Sequence, residues 1–266
     1  MSKCKLIAEI GWSHIGDMTL AKEMVSAAKE SGADYAKFQT WKVSRLKDGP
    51  WDTDGRRQIY EKAELTEDRH AMLKEYCDSI GIKFLTSCFC PDDIYMVRRY
   101  CNEVKIPSPE AYSTDLVQQA IEKFDTVYLS TGASCVEEYL RWAHFDNVVL
   151  LHCVSSYPCK LEQINLPKLK FLQAITPRVG YSGHLSGVYD AIAAICMGAI
   201  VVEKHFTTDH NLPGRDNKFA ILPDEFKVIS DFLKTYNVMM VDQGLFIQDC
   251  EKEYRQYQKG RWDFKK

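Results

Sequence analysis

A chain of 266 residues, 45% of them hydrophobic and 27% charged, has ordinary globular composition. It holds enough material for one α/β barrel of about 250 residues or for two smaller domains. A net charge of −3 without any basic block argues against nucleic acid or an acidic membrane surface as partner, and no apolar run of about 18 residues is present to span a bilayer.

The N-terminal stretch lacks the long apolar region of a secretory leader, so the ten cysteines are read as reduced thiols of a cytoplasmic protein. Several of them, Cys4, Cys88, Cys153 and Cys196, lie in apolar or strand-like surroundings. Cys88 and Cys90 are separated by one residue and answered by no second pair at zinc-finger spacing, which speaks against a structural zinc site.

Taken in order, residues 6–11 read as a first strand, followed by a capped amphipathic pattern over 19–32 and a second apolar run at 35–40. The alternation continues with strands at 82–88, after a helical pattern over 66–79, and at 103–108, 126–131, 147–153, 178–184 and 199–206. Eight such units without a compositional break predict a single closed (β/α)8 TIM barrel over residues 1–236, with a helical, charged tail over 237–266. A doubly wound open sheet is the alternative, but no GxGxxG turn follows the first strand.

Polar residues share one address in this scheme. Glu9, Lys37, Gln39, Ser87, Lys105, Ser108, Ser130, His152, Ser182, His184, Glu203 and His205 all fall in the last half of a strand or just beyond it, at the barrel mouth where this fold builds active sites. Because side chains alternate along a strand, Lys37 and Gln39 share a face, as do Ser182 and His184, and Glu203 and His205. Lys204 then faces away. The long connection over 41–65, with Trp51, Asp52, Asp54, Arg56 and Arg57, reads either as a lid over that mouth or as a surface excursion.

His184 and His205, on strands about 4.8 Å apart, suit a shared divalent cation with open positions for substrate or water, or else two hydrogen-bonded core histidines. Nitrogen ligands alone do not choose among manganese, zinc, iron and cobalt. Lys37 and Lys105 with Ser108, Ser130 and Ser182 suit a phosphate or carboxylate, or else the lysines reach out to solvent or pair with Glu9 and Glu110. Glu9, Glu110 and Glu203, near those lysines, suit water activation, sugar binding or structural pairing. No nucleophile elbow is present and Cys153 is placed within a strand, so covalent catalysis is disfavoured.

The motifs are Ala8-Glu9-Ile10-Gly11 with His14, Gly16 and Asp17; Gly32-Ala33-Asp34 with Lys37-Phe38-Gln39; Lys105-Ile106-Pro107-Ser108 with Glu110; Leu129-Ser130-Thr131-Gly132; Leu151-His152-Cys153 with Tyr157-Pro158; Gly180-Tyr181-Ser182 with His184; and Glu203-Lys204-His205-Phe206-Thr207 with Gly214 and Asp216. In order and spacing they resemble the sialic acid (N-acetylneuraminate) synthase family over roughly residues 5–235. The resemblance implies a transferase that condenses phosphoenolpyruvate with an N-acetylhexosamine such as N-acetylmannosamine, giving a 2-keto-3-deoxy sugar acid and phosphate. It implies Mn2+ on His184 and His205, and phosphoenolpyruvate on Lys37, Lys105, Ser108, Ser130 and Ser182. It further implies catalysis by Glu110, Glu9 and Lys105, with Glu110 positioning water, and sugar contacts from Glu9, Gln39, Tyr157 and Asp216.

Against the family pattern, Ser13 replaces an Asn, Gly183 an Asp, Asn217 a His and Ala220 a Ser. These departures are expected to reshape the sugar pocket or to loosen what orients His184. The chain stops near Trp262, about where the linker to the family's C-terminal antifreeze-like (SAF) domain would begin. That domain's arginine would then be supplied by Arg215 or by a separately encoded SAF-like domain. A homodimer is a further implication. A barrel that has lost catalysis and serves as a binding or assembly subunit is the alternative function.

Overall fold

A computed structural model describes residues 4–262. Eight parallel strands close into a barrel in sequence order: β1 Lys5–Gly11, β2 Tyr35–Thr40, β3 Lys83–Cys88, β4 Glu103–Ile106, β5 Thr126–Ser130, β6 Val148–His152, β7 Val179–Gly183 and β8 Val201–His205. Around it run α1 Met18–Glu30, α2 Arg56–Ala63, α3 Glu67–Ile80, α4 Ile94–Arg98, α5 Thr114–Lys123, α6 Val136–Leu140, α7 Pro167–Gln173, α8 Tyr189–Cys196 and α9 Pro223–Met239. Local chemistry sets the helix ends. The Asp17 carboxylate accepts from the backbone N–H groups of Thr19 and Leu20 at the start of α1, and Gly81 closes α3 in the left-handed conformation.

The barrel interior is layered. Ile7, Tyr35, Leu85, Tyr128, Val149, Leu151 and Val201 fill the lower layers. Beneath them the Glu103 carboxylate accepts from the hydroxyls of Tyr35 and Tyr128, so the bottom is closed by a hydrogen-bonded floor. Above them the inward positions turn polar at one height, because Glu9 registers with Lys37 and with His205, Ser87 with Lys105, and Ser182 with Glu203. Lys204 faces out of the barrel as parity predicts, yet it is buried in the layer between sheet and helices.

Strand parity overturns one expectation. Val149 and Leu151 point inward from β6, so His152 faces the helical layer, where its Nε2 pairs with the Ile164 carbonyl at 2.8 Å. It therefore takes no part in the mouth. Cys153 lies just past the end of β6 rather than within it.

The barrel unit ends at Leu233 and a second unit begins at Lys234. The latter contains the short helix α10, Lys252–Tyr257, and an exposed Leu245-Phe246 pair. Of the tail expected over 237–266, residues 263–266 lie outside the described residues. No helix among the described residues is long and apolar enough to cross a membrane.

Gly180 leaves room for the inner layer. A Cβ there would stand 2.4 Å from Val201 Cγ1, 2.7 Å from Leu151 Cδ2 and 2.7 Å from the Val201 carbonyl oxygen. Gly180→Val is expected to cost about 1–3 kcal/mol through overpacking and to lower the thermal midpoint by several degrees. An unchanged midpoint by circular dichroism would show that the layer yields freely.

Candidate active site

At the C-terminal ends of the strands lies a cavity of about 410 Å3. Of the twelve strand-end polar residues, all but His152 line it. Its floor is a buried charge network. Lys37 sits 2.5 Å from Glu9 Oε2 and 3.7 Å from Glu203 Oε2, and donates to Ser87 Oγ at 2.8 Å. Lys105 pairs with Glu203 Oε1 and reaches Ser182 Oγ at 3.3 Å, while Ser182 Oγ donates to Glu203 at 3.0 Å. Gln39 Nε2 donates to Glu9 Oε1 at 2.7 Å.

Two cations and two anions are thus sealed together, none of the four more than 6% exposed. Burial pushes the Glu9 carboxyl up, with Lys37 pulling the other way. At Glu203 burial likewise works upward, but Lys105 and Lys37 prevail and hold it down to about 2. The expected lysine partners were Glu9 and Glu110. The structure keeps Glu9 and puts Glu203 in place of Glu110.

Glu110 stands apart because the chain leaves β4 in a 3-10 turn, Ser108–Glu110, that carries it to the rim. It lines the cavity half-buried, and burial raises its pKa against the pull of Lys47, a residue of the 41–65 connection. Ser130 Oγ is buried in the cavity wall without a hydrogen-bond partner. Ser108 Oγ lies 3.1 Å from Cys153 Sγ, a contact that the placement of Cys153 within a strand had concealed.

The imidazoles of His184 and His205 are neighbours, their ring centroids 5.4 Å apart. His184 Nδ1 lies 2.6 Å from the Val154 carbonyl; donating there leaves Nε2 as the free lone pair. Burial lowers the His184 pKa to about 4, and burial together with the neighbouring His184 takes His205 well below the usual imidazole range. Both are therefore neutral near pH 7, the form that binds a metal ion. Among the described residues no group of three His, Cys, Asp or Glu gathers at one point. Two neutral imidazoles fit a divalent cation whose remaining positions belong to substrate or water, and not a closed structural centre.

The roof is aromatic. The 41–65 connection folds as two 3-10 turns and α2, and it lines the cavity with Trp41, Trp51, Arg56 and Tyr60 among others. Tyr60 packs edge-on against Trp12 and Trp41, with centroids 5.3 and 5.7 Å apart. Trp12 and Tyr60 were not singled out from the sequence, and an aromatic residue just past β1 is the one local hint. Tyr157 packs on His184 at 4.3 Å and carries the Arg215 guanidinium 4.8 Å from its ring centre. Asp216, its pKa raised by burial, accepts from Arg215 Nε at 3.2 Å and lies 3.8 Å from His205 Nδ1.

None of the four departures from the family pattern lines this cavity. Asn217 is buried behind the wall, donating to the carbonyls of Ser13 and Pro213 and accepting from Thr207. Gly183 faces outward toward Asp190, on the side of the sheet away from the cavity. His184 nonetheless keeps the Val154 carbonyl as an orienting partner.

Comparisons with known proteins bear on the family and the fold. A profile of the NeuB family matches residues 24–244. An N,N'-diacetyllegionaminic acid synthase of Legionella pneumophila is 36% identical, with 84% of this chain and 69% of that protein aligned. A synthase of the same name from Campylobacter jejuni is 32% identical over 91% of this chain and 79% of its own length. The crystal structure of an N-acetylneuraminic acid (sialic acid) synthetase from Leptospira borgpetersenii, in complex with citrate, superposes with a TM-score of 0.84. It is 26% identical, covering 97% of this chain and 93% of that one. On the extent of the profile match and the identity to these synthases, this chain is an enzyme and belongs to the NeuB family.

Proposed function

We propose that the protein condenses phosphoenolpyruvate with the open-chain aldehyde of an N-acetylated amino sugar, releasing phosphate and a 2-keto-3-deoxy sugar acid. The observation that carries this reading is the charge network of Lys37, Glu9, Glu203 and Lys105 directly beneath two neutral imidazoles in one cavity. A barrel that only assembles with partners has no need of it. Buried ion pairs are on balance neutral or unfavourable beside apolar packing, so two of them at the mouth point to a ligand.

The lysines with Ser87, Ser108, Ser130 and Ser182 present donors to the phosphate and carboxylate of phosphoenolpyruvate. The network is neutral in the free protein. An incoming anion drawing on Lys37 weakens the hold of that ammonium on Glu9, whose carboxyl is already raised by burial, and Glu9 takes a proton as the anion settles. C3 of phosphoenolpyruvate then forms the bond to the aldehyde carbon, leaving C2 electron-poor. Water held by Glu110 adds to C2 and gives that glutamate a proton, and the C2–O bond to phosphate breaks with its electron pair leaving on phosphate. The C2 hydroxyl loses its proton to become the keto group, and these two protons balance those taken up by the aldehyde oxygen and the departing phosphate. His184 and His205 would hold a divalent cation, Mn2+ in this reading, and when bound it would supply Lewis-acid polarisation of the acceptor aldehyde. Tyr157, Gln39 and Asp216 hold the sugar beneath the aromatic roof.

Incubation with Mn2+, phosphoenolpyruvate and a panel of N-acetylated hexosamines is expected to release phosphate together with a keto sugar acid of the summed mass. Confirmed metal binding with no phosphate from any acceptor would sink the condensation reading. Lys105→Ala is expected to weaken phosphoenolpyruvate binding by at least about tenfold, the loss of a charge-assisted contact, with sugar binding little changed in calorimetric titration. Equal losses for both ligands would move Lys105 off the phosphate.

Glu110 gives a pH signature. Its raised pKa means the water-holding carboxylate is fully present only above the ordinary range for glutamate and is lost as pH falls through the raised value. The acid limb of kcat is expected above pH 4.5, the ordinary glutamate value, and absent in Glu110→Gln, whose residual rate is about 100-fold lower. An unchanged acid limb in that variant assigns it to another group.

A further inference from the structure

On the outer faces of β7 and β8, away from the cavity, lies a second buried charge cluster that the reaction above leaves unused. Gly183 and Lys204 are register partners there, each one residue from a histidine. Lys204 is 2% exposed. Its ammonium donates to Asp190 Oδ1 and Oδ2 at 3.0 and 2.9 Å and to the Leu185 carbonyl at 2.6 Å. Asp190, in the first turn of α8, also accepts from the Tyr181 hydroxyl at 3.0 Å.

The connectivity is what gives the cluster meaning. Leu185 directly follows His184 and Lys204 directly precedes His205, so one ammonium ties the backbone just beyond the first imidazole to the backbone just before the second. The β6–α7 connection hydrogen-bonds His184 through the Val154 carbonyl and through the Cys159 N–H donating to the His184 carbonyl at 2.9 Å, while its Tyr157 packs against both rings, 4.3 Å from His184 and 6.1 Å from His205 between centroids. What ties the backbones of the two strand ends to each other is the strand pairing and this brace. Gly183 makes room for it, because a Cβ there would lie 2.4 Å from Asp190 Oδ2 and 3.0 Å from Lys204 Cδ. Stability alone does not call for an ion pair in this layer, where apolar side chains of similar volume serve as well.

We propose that Lys204 and Asp190 are positioning residues for the His184 and His205 pair, bracing the two strand ends so that both imidazoles reach one divalent cation. Gly183 is glycine because the brace carboxylate occupies the space of its side chain. The inference rests on the metal site proposed above, and partners that orient metal-binding histidines are worth about 10–100-fold in affinity.

The test titrates Co2+ into the full chain and follows its ligand-field absorption bands and calorimetric affinity, with thermal unfolding of the metal-free protein measured alongside. In Lys204→Met/Asp190→Leu/Tyr181→Phe the buried charges and the hydroxyl that serves them leave together. That variant is expected to unfold within a few degrees of wild type, yet to bind Co2+ at least about tenfold more weakly with shifted bands. A folded triple variant with wild-type affinity and bands overturns the brace and leaves the metal site standing. A wild-type protein that binds no Co2+ overturns both. If the triple variant does not fold, Gly183→Ala decides, since it disturbs the Asp190 carboxylate while retaining every charge and both histidines. Weakened Co2+ binding in that variant supports the brace, and unchanged binding overturns it.

Discussion

Sealing Lys37, Glu9, Glu203 and Lys105 together in the barrel mouth is the constraint on which the rest of the structure depends. Taking ions out of water costs several kcal/mol each, and their mutual attraction offsets this only with good geometry and satisfied hydrogen bonds. The barrel supplies the geometry and part of the hydrogen bonding. Register sets Glu9 beside Lys37 on the neighbouring strand, and Glu203 meets Lys37 and Lys105 across the interior. Ser87, Gln39 and Ser182 add hydrogen bonds, while Glu9 Oε2 and Glu203 Oε2 rely on their ion pairs. The apolar layers below and the Glu103 floor beneath them keep water from entering the network from the far end.

The same constraint explains what the sequence made legible. Strands buried on both faces read as continuous apolar runs, so eight of them stood out, and their polar ends fell at one level because the strands run parallel. Parity then separated Glu203 and His205 from Lys204 correctly. His152 was grouped with the mouth by its strand-end position alone, and the facing of β6, set by Val149 and Leu151 in the inner layer, turns it outward. Glu110 lines the cavity, but its distance from the lysines was not legible. A single 3-10 turn after β4 decides its direction, and no periodicity in the chain announces that turn.

Residues beyond the strands were the least legible. Trp12 and Tyr60 meet across the mouth although 48 positions apart, a contact that follows only once α2 has folded back. The departures at Ser13, Gly183, Asn217 and Ala220 looked like changes to the pocket because they adjoin pocket residues in sequence. Adjacent residues on a strand face opposite sides, so closeness to His184 in the chain places Gly183 away from the cavity, against Asp190.

The cavity is consequently asymmetric, with charge below and aromatic surface above. That asymmetry has an electrostatic consequence. Trp12, Trp41 and Tyr60 close over the ions with low-polarity groups, and opposite charges under such a cover interact more strongly than they do in water. A hydrated anion entering beneath it exchanges its water for ammonium and hydroxyl donors already held at the cavity floor. The arrangement that makes the free network costly is thus the one that favours an anion seated within it. The neutral imidazoles just above add no charge of their own to compete. Separating an ion-paired floor from an uncharged nitrogen pair lets one small cavity present two chemically different ligand positions.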